Sequence, residues 1–153
     1  MGLRWIRAHR DCLGIRIVNI SVGSLSRKDM TENSALVKGV NAAWDDGLVV
    51  VVAAGNHGPG PMTVTTPGIS RKVITVGSSD DHKEVDVMGS TMVDYSGRGP
   101  TSSCVCKPDV VAPGSAIISC KNEETNIPPN PAPVCPRRWW PGRLRCFWRN
   151  IPI

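Results

Sequence analysis

Leu48-Val49-Val50-Val51-Val52-Ala53-Ala54-Gly55-Asn56-His57-Gly58-Pro59 is the stretch whose reading decides the fold. Five consecutive Leu/Val residues predict a strand buried on both faces, the pattern of a parallel sheet inside an α/β protein. In such sheets ligands bind beyond the carboxyl ends of the strands. Ala53, Ala54, Gly55 and Asn56 therefore stand where chemistry is expected. Small residues let a ligand backbone approach closely, and Asn56 places an amide donor at the rim. Taken alone, Gly55-Asn56 also reads as a turn, because both residues tolerate positive φ.

Working outward, the strand has neighbours that suit it. Upstream, Leu36, Val40, Ala43 and Trp44 recur at helical spacing from about Thr31 or Asn33 to Asp46, and Gly47 closes the helix. Before that, Ile15 to Ser21 reads as a β-branched strand running into Val22-Gly23-Ser24, with a polar loop at 24–33. Strand, helix and strand within about 40 residues predict a βαβ unit. Residues 2–12 read as a short helix ended by Gly14. Downstream, a Gly/Pro-rich loop over 55–70 leads to a buried strand, Lys72 to Gly77. Asp80 to Glu84 reads as a charged surface turn, and Val85 to Tyr95 as a short strand with a loop. Lys107 to Gly114 holds a short apolar segment, and Ile117-Ile118-Ser119 reads as a last strand.

Bulk properties bound the function. At 153 residues the chain is one domain or part of one, and 41% hydrophobic content suits a globular core. No apolar run reaches the ~18 residues of a membrane span. Arg4, Arg7 and Arg10 interrupt any secretory h-region, so no signal peptide is read and the localisation stays unknown. The net charge of +5 is unevenly spread. Residues 1–124 carry 13 Lys/Arg and 13 Asp/Glu; the excess is Arg137, Arg138, Arg143, Arg145 and Arg149. That tail also holds Trp139, Trp140, Phe147, Trp148 and seven of the 13 prolines.

Five segments in order carry a resemblance. They are Asn19-Ile20-Ser21-Val22-Gly23, Ala53-Ala54-Gly55-Asn56-His57-Gly58, Thr66-Pro67-Gly68 with Val73 to Gly77, Tyr95-Ser96-Gly97-Arg98-Gly99-Pro100, and Lys107-Pro108-Asp109-Val110-Val111-Ala112-Pro113-Gly114. Over residues 2–121 the chain resembles the subtilisin-like serine proteases. The resemblance implies an α/β fold, here a partial three-layer domain with a parallel β-sheet core. It implies peptide-bond hydrolysis by a Ser-His-Asp triad, in which the hydroxyl attacks, imidazole takes the proton and carboxylate orients the imidazole. Asn56 matches the oxyanion donor. Losing that Asn in subtilisin costs about 10²–10³ in turnover, a magnitude borrowed by resemblance. Ser21, Val22 and Gly23, with Ala53, Ala54 and Gly55, match the substrate-lining segments, where an extended peptide adds to a strand edge. The partner implied is a peptide or protein substrate of the intact enzyme. The family is often secreted, with intracellular members.

The family's Asp-(Thr/Ser)-Gly and His-Gly-Thr-His blocks do not occur in this chain. His9, His57 and His82 lie at none of the catalytic positions and read as surface residues. The nucleophile block, expected soon after Lys121, is not written either. Codons read from the third base of each, however, permit Ser-Gly-Thr-Ser-Met-Ser-Thr-Pro-Val over Asn130 to Trp139. Trp139-Trp140 then forces Val, Trp140-Pro141 forces Ala and Phe147-Trp148 forces Leu. Residues 1–121 therefore read as a partial peptidase domain and 122–153 as an out-of-frame, disordered tail. The chain is expected to be inactive alone.

Three rivals compete. A nucleotide site in Gly55 to Gly60 lacks Gly-x-Gly-x-x-Gly and a Walker lysine, and Pro59 and Pro61 remove amide donors. A non-catalytic α/β binding fragment would use the Arg/Trp tail on nucleic acid. Cys104, Cys106 and Cys120 would be a metal site, but zinc spacing and a fourth ligand are missing. Free thiols are the simpler reading. Calcium, common in the family, finds no carboxylate cluster to match; Asp45-Asp46 and Asp80-Asp81 read as capping or solvating turns. No cofactor is evident.

Overall fold

The structure is a computed structural model that describes residues 2–25, 31–80, 82, 85–87 and 90–115. The valine run forms the strand Val49–Ala53 (β2), and the branched segment before it forms Ile17–Ile20 (β1). They pair in parallel, Ile17 opposite Val49 and Ile20 opposite Val52. Between them runs the helix Ala35–Asp45 (α2). Ser34 caps it by accepting the Val37 N–H on its hydroxyl, the standard remedy for an unpaired first-turn donor. Asp46 is the C-cap, and Gly47 leaves the helix at a φ of +85°.

The strand Ile74–Ser78 (β3) adds to β2, and Val110–Ala112 (the last strand described, β6 after a small hairpin) adds to β3. All three pairings are parallel, and the order is β1-β2-β3-β6. Alternation sends successive valines to opposite faces. Val50 and Val52 join Val18, Val40, Ala43, Leu48 and Val73 in the core between sheet and helices. Val51 packs with Val76 and Ala112 on the other face. Both faces of β2 are covered, and this is why a continuous valine run suits it. The first helix, Gly2–His9 (α1), buries no residue fully; Leu3 and Ile6 rest on the first of these cores.

The boundaries differ modestly from the sequence reading. The first helix ends at His9, and residues 10–14 form turns, with Leu13 N–H donating to His9 O and Ile15 N–H to Arg10 O. The stretch from Val85 holds two short antiparallel strands, Val85–Val87 (β4) and Ser90–Met92 (β5), where one was expected. The strand expected at Ile117-Ile118-Ser119, Cys120 and the tail 122–153 lie outside the described residues. Among the described residues no helix is long and apolar enough to cross a membrane.

Candidate active site at the carboxyl ends of the strands

Because β1 and β2 are parallel and in register, their carboxyl ends open side by side. Ser21, Val22 and Gly23 follow β1 and are all exposed, Val22 to 68%. Ala53 and Gly55 are half-buried, Asn56 is exposed, and Ala54 is buried at 1%. The sequence grouped Ala53, Ala54 and Gly55 together, but Ala54 faces inward. Its N–H donates to Val76 O, and its carbonyl accepts the Thr65 N–H.

Thr65, which sequence reasoning did not single out, joins the two segments. A Cβ on Gly23 would lie 2.4 Å from the Thr65 Oγ1, and one on Gly55 would lie 2.5 Å from its Cγ2. The buried threonine thus fills the space that both glycines leave, and its hydroxyl donates to Ala54 O at 3.3 Å. The next residue extends the join: Ser24 and Thr66 exchange N–H···O bonds as an antiparallel bridge. Val64 and Ile69 then pack on Val37 of α2, tying this loop to the helix. Gly55 has a φ of +96°, open essentially to glycine alone.

The loop bearing Asn56 is clamped from its other side by residues 95–97. Gly97 N–H donates to Gly55 O at 2.9 Å, and Gly58 N–H donates to Tyr95 O at 2.8 Å. Contact is close enough that a Cβ on Gly58 would lie 2.1 Å from Ser96 O, and one on Gly97 2.4 Å from Ala54 O. A phosphate cradle would need the Gly58 N–H, which is already committed. Asn56 itself is exposed, and among the described residues its side-chain amide makes no hydrogen bond. It is an exposed donor on a loop held by backbone bonds at Gly55 and Gly58.

Of the charged turn expected at Asp80 to Glu84, the structure describes Asp80 and His82; Asp80 is half-buried and caps backbone groups of the chain after β6. Its Oδ1 accepts from Gly114 N–H at 2.7 Å, Ser115 N–H at 3.1 Å and the Ser78 hydroxyl at 2.9 Å. Burial alone would raise its pKa; the backbone donors of Gly114 and Ser115 and the Ser78 hydroxyl outweigh that and hold it below the usual carboxylate range. Asp45 and Asp46 also have partners, in Lys72 for the first and in Arg7 and Arg10 for the second. The Arg7 contact holds the Asp46 carboxyl below its ordinary value.

The histidines are not gathered at the site. His57 and His82 are exposed. His9 stacks on Trp5 with ring centroids 4.4 Å apart, and its Nδ1 donates to Trp5 O. Cys104 and Cys106 are exposed free thiols, and among the described residues no three His, Cys, Asp or Glu side chains gather as a metal site. Nothing found supports the nucleic-acid reading, whose tail lies outside the described residues.

Comparison with known proteins agrees with this arrangement. Serine protease AprX of Bacillus subtilis is 43% identical over 114 residues, 74% of this chain and 26% of that protein. Subtilisin DY of Bacillus licheniformis is 30% identical over 120 residues, 77% of this chain and 36% of that protein. The solved structure of sphericase superposes with a TM-score of 0.70 at 25% identity, covering 97% of this chain and 48% of that one. The chain thus spans between a quarter and a half of the length of these relatives. A sequence model described as the subtilase family matches residues 3–133, a span that takes in the parallel sheet, both segments at its carboxyl edge and the clamp behind them; the chain belongs to the subtilase family.

Proposed function

We propose that this chain is the part of a serine endopeptidase domain that holds the substrate backbone and the oxyanion. Asn56 donates its side-chain N–H to the oxygen that becomes negative when a peptide carbonyl is attacked. Ser21, Val22 and Gly23 offer an exposed edge to an extended peptide, which pairs by main-chain bonds. Ala53 and Gly55 form the facing wall, with Ala54 behind it. The observation that carries the reading is the side-by-side opening of these segments, locked by Thr65, with an exposed amide at the rim that has no partner among the described residues. A fixed donor aimed at developing charge costs no reorganisation during reaction, and such donors supply much of the stabilisation in acyl transfer. No cofactor is needed for this chemistry.

The chain alone carries none of the family's nucleophile, base or orienting-acid motifs, so it binds without turning over. Purified chain is expected to leave casein and chromogenic peptides uncut. An uncharged, N-acetylated peptide should shift the amide resonances of Ser21 to Gly23 and of Gly55 and Asn56. Casein turnover by the pure chain, or shifts confined to other surfaces, would overturn the reading. The out-of-frame reading of 122–153 belongs to the same proposal. Gene sequence in which the shifted triplets do not spell Gly-Thr-Ser-Met would end it.

A further inference from the structure

We infer that Tyr95 is a positioning residue for Asn56, acting through a hydroxyl bridge that fastens the Asn56 loop to the ends of β3 and β6. The inference rests on the reading of Asn56 as the oxyanion donor and extends it to the group that sets where that donor points.

Asn56 has no side-chain bond of its own among the described residues, so its direction follows from the backbone of Gly55 to Gly58. That backbone is fixed at both ends by one short segment, through Gly97 N–H to Gly55 O and Gly58 N–H to Tyr95 O. The position of Asn56 therefore depends on that of residues 95–97 as well as on β2 and Thr65. What fixes them is side-chain bonding behind the loop. The Tyr95 hydroxyl lies 3.0 Å from the Ser115 Oγ and 3.4 Å from the Ser78 Oγ. The Ser96 hydroxyl accepts the Ser78 N–H at 2.9 Å. Ser115 in turn donates to Asp80 O at 2.8 Å, while its N–H is held by the Asp80 carboxylate. Tyr95, Ser78, Ser96 and Ser115 are all buried. A buried hydroxyl without a partner is costly, so this group holds one geometry instead of several.

The ring and the hydroxyl have separable roles. The family pattern resembled by Tyr95-Ser96-Gly97 takes Phe or Tyr at this position, so the ring meets the packing requirement. The hydroxyl adds directional bonding to that packing. It converts a packed aromatic residue into a strut with direction, running from the carboxyl ends of β3 and β6 to the oxyanion loop beside β2.

The test is Tyr95→Phe in the full chain, read by ¹H–¹⁵N NMR and amide exchange. Deleting one hydroxyl keeps the ring and its packing. The side-chain NH₂ of Asn56 and the amides of His57, Gly58 and Gly97 should shift. Gly58 and Gly97 should exchange about threefold to tenfold faster, the range expected for the net worth of one hydrogen bond. Val50, Val51 and Val52 should be unmoved. Ser115→Ala should shift the same set from the other end of the bridge, and Ser115→Thr, which restores a hydroxyl, should return it. An unmoved Asn56 in both Tyr95→Phe and Ser115→Ala overturns the proposal. So does a proportional change through the whole sheet, which would make Tyr95 a core residue only. These signals need no peptide, so loss of peptide binding with the bridge intact would count against the oxyanion reading alone.

Discussion

The two ends of the β3–β6 pair are closed by aspartates that work in different ways. At the amino end, Asp109 accepts the Thr75 N–H at 2.7 Å and the Lys107 Nζ at 2.6 Å. The lysine side chain is 1% exposed, and it also donates to Val73 O. At the carboxyl end, Asp80 takes two backbone N–H groups and a hydroxyl. One end is locked by charge on charge. The other is held by neutral dipoles and close glycine contacts. An oxyanion donor works by being held in place before the charge develops. The amino end thus supplies rigidity, and the carboxyl end supplies geometry.

The sharpest way to break this contrast is to thicken the carboxyl end. Gly58→Ala would drive a Cβ to 2.1 Å from Ser96 O and 2.7 Å from Asp94 O, both backbone atoms. Overpacking of this kind costs about 3 kcal/mol. Chemical denaturation should show that loss, and a cost below about 1 kcal/mol would mean that the clamp yields and the loop is not fixed. At the amino end, Lys107→Met keeps the buried aliphatic stem but leaves Asp109 and Val73 O without their donor. Breaking a buried pair costs about 3–5 kcal/mol. Asp109 is 40% exposed and can recover water, so about 2–3 kcal/mol is expected. That loss should leave the Asn56 and Gly58 resonances in place. If they move, the two ends are not independent.

What was legible in the sequence follows the same division. The valine run gave away β2 because burial on both faces leaves a compositional mark. The helix before it showed through its spacing and Gly47, and the small residues after each strand marked the candidate site. Asp80 was not legible. A doublet of aspartates before a histidine looks like a solvated turn, and only the parallel return of β6 brings Gly114 and Ser115 onto the carboxylate. Thr65 was equally hidden. Gly23 and Gly55 signalled close approach, but nothing in either segment names the residue 10 places beyond Gly55 that fills the gap. The clamp by Tyr95 to Gly97 needed Gly58 to be paired with Tyr95, and Gly55 with Gly97, across the whole of β3 and the hairpin. Local pattern reveals elements and their ends; contacts between loops that share no periodicity appear only once the sheet order is known.

A smaller effect tests the carboxyl end by pH. Asp80→Asn keeps an acceptor but removes the charge, at a cost of about 1–2 kcal/mol. The folded pKa of Asp80 is depressed by its donors. Its contribution is therefore present above the unfolded value of about 3.9 and is lost as the pH falls through the folded value. The stability gap between the native chain and Asp80→Asn should be flat near neutrality and close below about pH 4. Subtraction removes the part due to Asp46, whose pKa is also depressed and which titrates in both proteins. A gap that persists in strong acid would assign the effect to shape, and the neutral-dipole account of this end would fail.

The smallest expected effect tests the site most directly. Asn56 is exposed, its amide has no partner among the described residues, and the positive φ belongs to Gly55. Asn56→Ala should therefore change stability by no more than about 0.5 kcal/mol, as for a surface substitution away from special features. A residue that does little for the fold, yet sits on a loop clamped at Gly55 and Gly58, has its position maintained for something other than the fold. If Asn56→Ala instead costs more than about 1 kcal/mol in thermal or chemical unfolding, the side chain is shaping the turn. The carboxyl end would then be another structural lock, like Lys107 and Asp109 at the amino end, and the contrast between rigidity at one end and held-open geometry at the other would disappear.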